Sequence, residues 1–283
     1  MDAGVVRNTI GLFLLAAACT ALWLGLNVAL PDLQATGIPS IVIRLFIHGV
    51  ILTGLWLGIA QAGFDPAARV RVWLAIALPF TAWLAIVWWL AVGEAFRPRP
   101  GVPALPLAIF LPVLIGLPFL LRSQRVGAIL DAIPSSWLVG LQVYRVFGGI
   151  FLVAWSRGGI SGTFALPAGS GDVLVGLLAL PAAYLLWAGA PGARSGAIAW
   201  NVLGLADFAI AIGIGILSAP GPLQLIVPDR PNAQLGSFPT VMIPAFAVPS
   251  SILLHALSLR QLRRTAHAKA DDQSVRQREA ANA

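Results

Sequence analysis

Charge is scarce in this 283-residue sequence: Asp, Glu, Lys and Arg together make up 10%, where a water-soluble globular domain carries roughly a quarter. That shortage excludes an ordinary soluble fold, whose surface needs far more. Cysteine occurs once, as Cys19, so neither an intramolecular disulfide nor a multi-thiolate metal site can be built from this chain. His-Glu-x-x-His, a Walker glycine loop and a dinucleotide fingerprint after a strand are all missing, and no cofactor or metal is expected. The net charge is +7, yet no basic run is interleaved with exposed aromatics, and six of the 18 basic residues fall in the last 24 positions. Nucleic acid is therefore not expected as a partner. Lysine occurs once against 17 arginines, and alanine, glycine and proline are abundant, a bias that suggests a GC-rich bacterial genome.

What the sequence has in quantity is apolar residue, 58% of all positions. A helix needs roughly 20 such residues to cross the hydrocarbon of a bilayer, and eight runs of that kind are found, at about 9–30, 41–60, 70–92, 103–121, 137–156, 165–187, 196–218 and 238–260. Turn signals separate them, among them Pro31-Asp32, Asp65-Pro66, Arg97-Pro98-Arg99-Pro100-Gly101, Pro134-Ser135-Ser136, Pro191-Gly192 and the stretch from Pro220 through Pro222 to Pro231. The predicted fold is all-α: a polytopic helical transmembrane bundle of about eight helices over 1–262, followed by a polar basic tail at 263–283. Arg7, Ala16-Ala17-Ala18 and Cys19 mimic a lipoprotein signal. The apolar run continues to Leu30, however, longer than the roughly 7 to 15 residues of a signal peptide, so an uncleaved helix is expected.

Orientation follows from arginine. An N-terminus in the cytoplasm puts Arg7, Arg69, Arg71, Arg122, Arg125, Arg194 and the six basic tail residues inside, against Arg97, Arg99, Arg157 and Arg230 outside. The excess predicts both termini in the cytoplasm of a bacterial inner membrane. Trp73, Trp88, Trp89, Trp137 and Trp155 stand at span ends, where interfacial aromatics belong. Prolines crowd the fourth span (Pro103, Pro106, Pro112, Pro118) and the eighth (Pro239, Pro244, Pro249), predicting kinks there.

Ionisable side chains near the bilayer centre are costly, about 3 kcal/mol on insertion scales, and so face inward and find partners. In the fifth span Gln142, Arg145 and Gly149 share a face; in the sixth Ala165, Gly169, Asp172 and Gly176 do; in the seventh Gly204, Asp207, Ala211 and Gly215 do. Small residues allow close helix approach. Helical rise places Arg145, Asp172 and Asp207 roughly 10 to 16 Å into a core about 30 Å thick. The expectation is that Arg145 bridges the two aspartates near the midplane. Asn201 on the seventh span, with Ser251, His255 and Ser258 on one face of the eighth, would extend a polar track toward the cytoplasm. Arg44 and His48, at i and i+4 on the second span, form a secondary polar pair nearer the outside.

Catalytic motifs fare poorly. Gly169-Ser170-Gly171-Asp172 and Pro103-Ala104-Leu105 match short signatures of intramembrane aspartyl proteases, but in the wrong chain order, and Arg145 beside the aspartates works against two carboxyls sharing one proton. Ser170 and His255 differ by roughly 18 Å in depth by helical rise, which excludes a rhomboid-like dyad. His48 and His255 lie toward opposite faces, which argues against one shared haem iron.

Together, Gln142-x-x-Arg145, Ala168-Gly169-x-Gly171-Asp172, Trp200-Asn201-x-x-Gly204-x-x-Asp207 and Ile252-Leu253-Leu254-His255 resemble a family of small uncharacterised bacterial multi-pass membrane proteins, over roughly residues 135–262. The resemblance brings no function. The residues themselves suggest a small transporter or permease-like protein in which Asp172 and Asp207 carry a proton or a small polar solute, Arg145 is their counter-ion, and Asn201 and His255 line the inner path. The alternatives are an intramembrane enzyme using the aspartates as acid and base, and an assembly subunit. The bilayer is a partner on every reading; an uncovered apolar face would add a second copy or other membrane subunits.

Overall fold

A computed structural model describes residues 2–32, 36–97, 103–221 and 223–281, by side chain as far as Ala266. The turn signal at 98–101, Pro222, and the tail side chains of Lys269, Arg276 and Arg278 lie outside the described residues. Among those described, there is no strand, and eight helices are long and apolar enough to cross a membrane: Ala3–Ala29, Ile38–Gln61, Pro66–Val92, Ala104–Arg122, Ser136–Ser156, Gly162–Trp187, Ala193–Leu217 and Ile243–Ala266. These are the first to eighth spans below.

Several spans start earlier than the apolar runs because polar side chains cap them. Asp2 Oδ1 accepts from Gly4 N at 3.2 Å, Asp65 Oδ1 from Ala68 N at 2.9 Å with Pro66 following it, and Ser161 Oγ from Thr163 N at 3.1 Å. Each supplies an acceptor to an amide that has no partner in the first turn.

Two spans are not uniform α-helix. The middle of the fifth, Gln142–Gly149, is wound as a 3-10 helix of eight residues, where runs longer than about 3–4 are uncommon and often mark functional positions. The eighth opens with a π-turn, Ile243–Ala247, in which Val248 N–H reaches back to Ile243 O. Pro249, next in line, has no N–H to continue an ordinary ladder. Of the prolines expected inside this span, Pro239 stands before it. The helix then runs on past residue 262 to Ala281.

Packing is uneven. The fifth, sixth and seventh spans press together through glycines: a Cβ at Gly176 would stand 2.6 Å from Val146 N, and one at Gly169 would stand 2.8 Å from Leu152 Cγ. The first span lies along the sixth, with Asn8 Nδ2 donating to Tyr184 Oη at 2.8 Å, and also touches the fifth, with Trp23 edge-on to Phe147 at 5.1 Å. Second and third spans pair with each other, Trp73 Nε1 donating to Leu52 O at 3.1 Å. The third and fourth meet the start of the eighth in a cluster of Leu84, Val87, Ala108, Met242 and Ala245.

A short helix, Gln124–Ala132, joins the fourth and fifth spans where the sequence suggested only a connection. Val126, Ile129 and Leu130 are buried on one face. The eighth-span helix ties it down: Gln261 Nε2 donates to Leu130 O (2.6 Å) and Ile133 O (2.8 Å), and Arg260 to Leu120 O (2.6 Å) and Ser123 O (3.0 Å). Arg264 Nε donates to Asp131 Oδ1 at 2.7 Å and its Nη2 pairs with Oδ2. That guanidinium, through its hydrogen bond first and its charge second, holds the Asp131 carboxyl below the usual carboxylate range.

Candidate functional site

Arg145 leaves the 3-10 stretch of the fifth span and is 3% exposed. A guanidinium has five N–H donors and no acceptor, and four hydrogen bonds are formed here. Nε and Nη2 both reach Asp172 Oδ1 at 2.8 Å. Nη2 also pairs with Asp207 Oδ2, and Nη1 reaches Gly204 O at 3.2 Å and His255 Nε2 at 3.1 Å. Phe208 lies against the cation, 3.8 Å from Cζ to the ring centroid. Burying this charge would cost several kcal/mol if its donors were left open; four hydrogen bonds and ion pairs to two carboxylates make the position tenable.

Glycines make the room. A Cβ at Gly148 would overlap the Asp172 carboxylate, one at Gly171 would overlap that of Asp207, and one at Gly204 would overlap the His255 ring. At three residues per turn, Gln142, Arg145 and Gly148 stack on one edge, so Gly148 takes the place expected of Gly149 on the Arg145 face and meets Asp172. Gly149 instead faces Val173 and Leu24.

Hydrogen-bond logic fixes the next link. Because Arg145 can only donate, His255 Nε2 must accept, which puts the ring proton on Nδ1, donated to Asn201 Oδ1 at 2.9 Å. The Asn201 amide nitrogen then donates to Ala197 O (2.8 Å) and Ser258 Oγ (3.1 Å). His255 is thus a neutral imidazole, 0% exposed, in a chain of bonds running from Arg145 toward the end of the bundle that carries both termini.

The other end is open. A cleft of about 80 Å³ is lined by residues of the first, second, fifth, sixth, seventh and eighth spans, among them Trp23, Arg44, Tyr144, Arg145 and Asp172. Asp172 is among its lining residues: Arg145 takes its Oδ1 by a hydrogen bond and an ion pair, and its Oδ2, set against Gly148, has no hydrogen-bond partner among the described residues. Tyr144 Oη is bonded to Ser251 Oγ at 2.6 Å on the same wall.

The structure thus brings Arg145, Asp172, Asp207, Asn201 and His255 into one network. Gln142 is not in it: its side chain is fully buried, and neither amide atom has a hydrogen-bond partner. Arg44 and His48, expected as a pair, hold different neighbours. His48 Nε2 bonds Thr81 Oγ1 at 3.0 Å and its ring stacks on Phe80 at 4.8 Å, whereas Arg44 Nη2 donates to Pro239 O at 2.8 Å. One helical turn places them on the same side of the second span, but the third span takes one and the cleft the other. Sequence reasoning missed Tyr144 and Phe208, whose signal was their register against Arg145 and Asp207.

Among the described residues no group of three His, Cys, Asp or Glu could hold a metal ion. An aspartyl dyad needs two carboxyls sharing a proton; here a guanidinium bonds to both. No curated protein and no solved structure matches the chain. A family model does, over residues 102–263, a stretch that starts earlier than the resemblance at 135–262 and takes in the last five spans and the whole Arg145 network. The chain belongs to the family described as Domain of unknown function (DUF8737).

Proposed function

We propose that this chain is a small transporter or permease-like protein of a bacterial inner membrane, with both termini cytoplasmic, handling a proton or a small polar solute at Asp172. The observation that carries the reading is the cleft: residues of the first and second spans line it together with Asp172, whose Oδ2 Arg145 leaves uncommitted. Intramembrane ionisable groups that meet a cavity are functional by default. Asp207 lies behind Arg145 and balances it, while His255 and Asn201 continue the polar track toward the termini.

The bonds of Arg145 to both aspartates, Gly204 and His255 favour a second reading, a brace that fixes helix register. Asp172→Asn separates the two. In proteoliposomes this variant, which keeps an oxygen acceptor for Arg145 Nε, is expected on the transport reading still to fold and insert but to lose flux. On the brace reading, stability and flux fall together.

A further inference from the structure

The cleft holds a second charge that the Arg145 network does not neutralise. Arg44, on the second span, lines it together with Asp172. No acidic side chain pairs with Arg44 among the described residues; Nη2 reaches only the Pro239 carbonyl, and Nε is buried without an acceptor. A cation in an apolar span that lacks a carboxylate calls for an anion. With both aspartates ionised, the Arg145 set sums to one negative charge, and Asp172, whose Oδ2 has no hydrogen-bond partner among the described residues, lines the same cleft.

The geometry points to a small zwitterion as the solute, its anionic end on Arg44 and its ammonium end on Asp172; this deepens, and rests on, the transport reading above. A solute bearing only a positive charge meets Asp172 but is repelled by Arg44. One bearing only a negative charge meets Arg44 but is repelled by the net-negative cluster. In a low-dielectric cleft neither repulsion is screened away, and a zwitterion removes both. Trp23, Tyr144 and Phe147 also line the space, and aromatic faces favour an ammonium group. Size sets the class: at roughly 15 Å³ for each water-sized group, a cleft of about 80 Å³ takes about five such groups, the bulk of a short amino carboxylate and less than a zwitterionic lipid headgroup.

The test uses full-length protein purified in detergent, with glycine, β-alanine and glycine betaine as probes and acetate and methylammonium as single-charge controls. Binding is read by the rise in melting temperature across a concentration series. At least one zwitterion is expected to stabilise the parent at concentrations at which neither control does. Arg44→Gln is expected to weaken that binding tenfold or more and Arg44→Lys to keep most of it, while the melting temperature without ligand stays near the parent value. Should Arg44→Gln fail to fold, Arg44→Lys with Asp172→Asn supplies the same contrast. Equal stabilisation by acetate or methylammonium overturns the proposal, as does unchanged binding in Arg44→Gln, or no response to any zwitterion. Proton flux in proteoliposomes keeps the two readings apart: Asp172-dependent flux without zwitterion binding removes the zwitterion and leaves the transporter.

Discussion

Glycines inside the first two spans, apart from Gly58, which packs on Ile133, and glycines around the charged network face different surroundings. A Cβ built at Gly11, Gly25, Gly49 or Gly54 meets nothing within 4 Å, whereas one at Gly148, Gly149, Gly169, Gly171, Gly176 or Gly204 comes closer than 3.0 Å to a neighbour. Burial tells the same story: 11, 11, 22 and 11% of the most apolar window in the first four spans is buried by protein, against 50, 39, 33 and 39% in the last four. In lipid, apolar side chains gain nothing by leaving their solvent for one another, so close packing has to come from small residues and polar bonds. The last four spans have both. The first three wrap loosely, the first and second contribute one wall of the cleft, and it is these three that lie outside the family match.

The largest effect is expected from Arg145→Met. It leaves two buried carboxylates facing each other, and breaking a buried pair in this way costs about 3–5 kcal/mol, read as lost yield and early unfolding in detergent. Adding Asp172→Asn and Asp207→Asn to that variant removes the stranded charges and is expected to recover most of the loss. No recovery would mean that the shape of the guanidinium, and not its charge, holds the helices.

Next come the glycines themselves. Gly176→Ala drives a methyl against Val146 N, backbone that cannot swing aside, and overpacking of this kind costs about 1–3 kcal/mol. Gly49→Ala and Gly54→Ala meet open space and are expected to be neutral or stabilising by up to about 1 kcal/mol through helix propensity. Equal penalties at Gly176 and Gly54 would erase the contrast between the two halves. Smaller again is Tyr144→Phe, which removes the hydroxyl bonded to Ser251 and is expected to cost about 1 kcal/mol in thermal unfolding while the Arg145 bonds persist.

Much of this was legible in the residues. Eight apolar runs are separated by proline and glycine, and the small-residue stripes beside Arg145, Asp172 and Asp207 already implied that three helices meet at their charges. The misses share a cause. Gly148 replaces Gly149 because the fifth span tightens to three residues per turn at that point, and an apolar run reads alike whether wound as α or 3-10; Gln142 stays on the Arg145 edge but one turn away, where no polar group reaches its amide. Arg44 and His48 separate because a shared helix face does not say which neighbour covers it. The helix Gln124–Ala132 carries Val126, Ile129 and Leu130 at helical spacing, but over too few residues to stand out from a connection. The cleft is made by the gap between spans and has no local signature at all.

The smallest effect belongs to the tie between that short helix and the end of the eighth span. Asp131 and Arg264 are 48% and 42% exposed, so their pair contributes at most about 1 kcal/mol. Because Arg264 lowers the Asp131 pKa in the folded protein, the folded form binds this proton less readily than the unfolded chain. The contribution is therefore complete above the unfolded carboxyl value of about 3.9, and is lost as pH falls through the lower folded value. Melting curves of the parent and Asp131→Asn should differ slightly at neutral pH and converge on acidification below about pH 4, sooner in high salt. If they stay apart in acid, the helix is held by Arg260 and Gln261 on the carbonyls of Leu120, Ser123, Leu130 and Ile133, and Asp131 matters to it by shape alone.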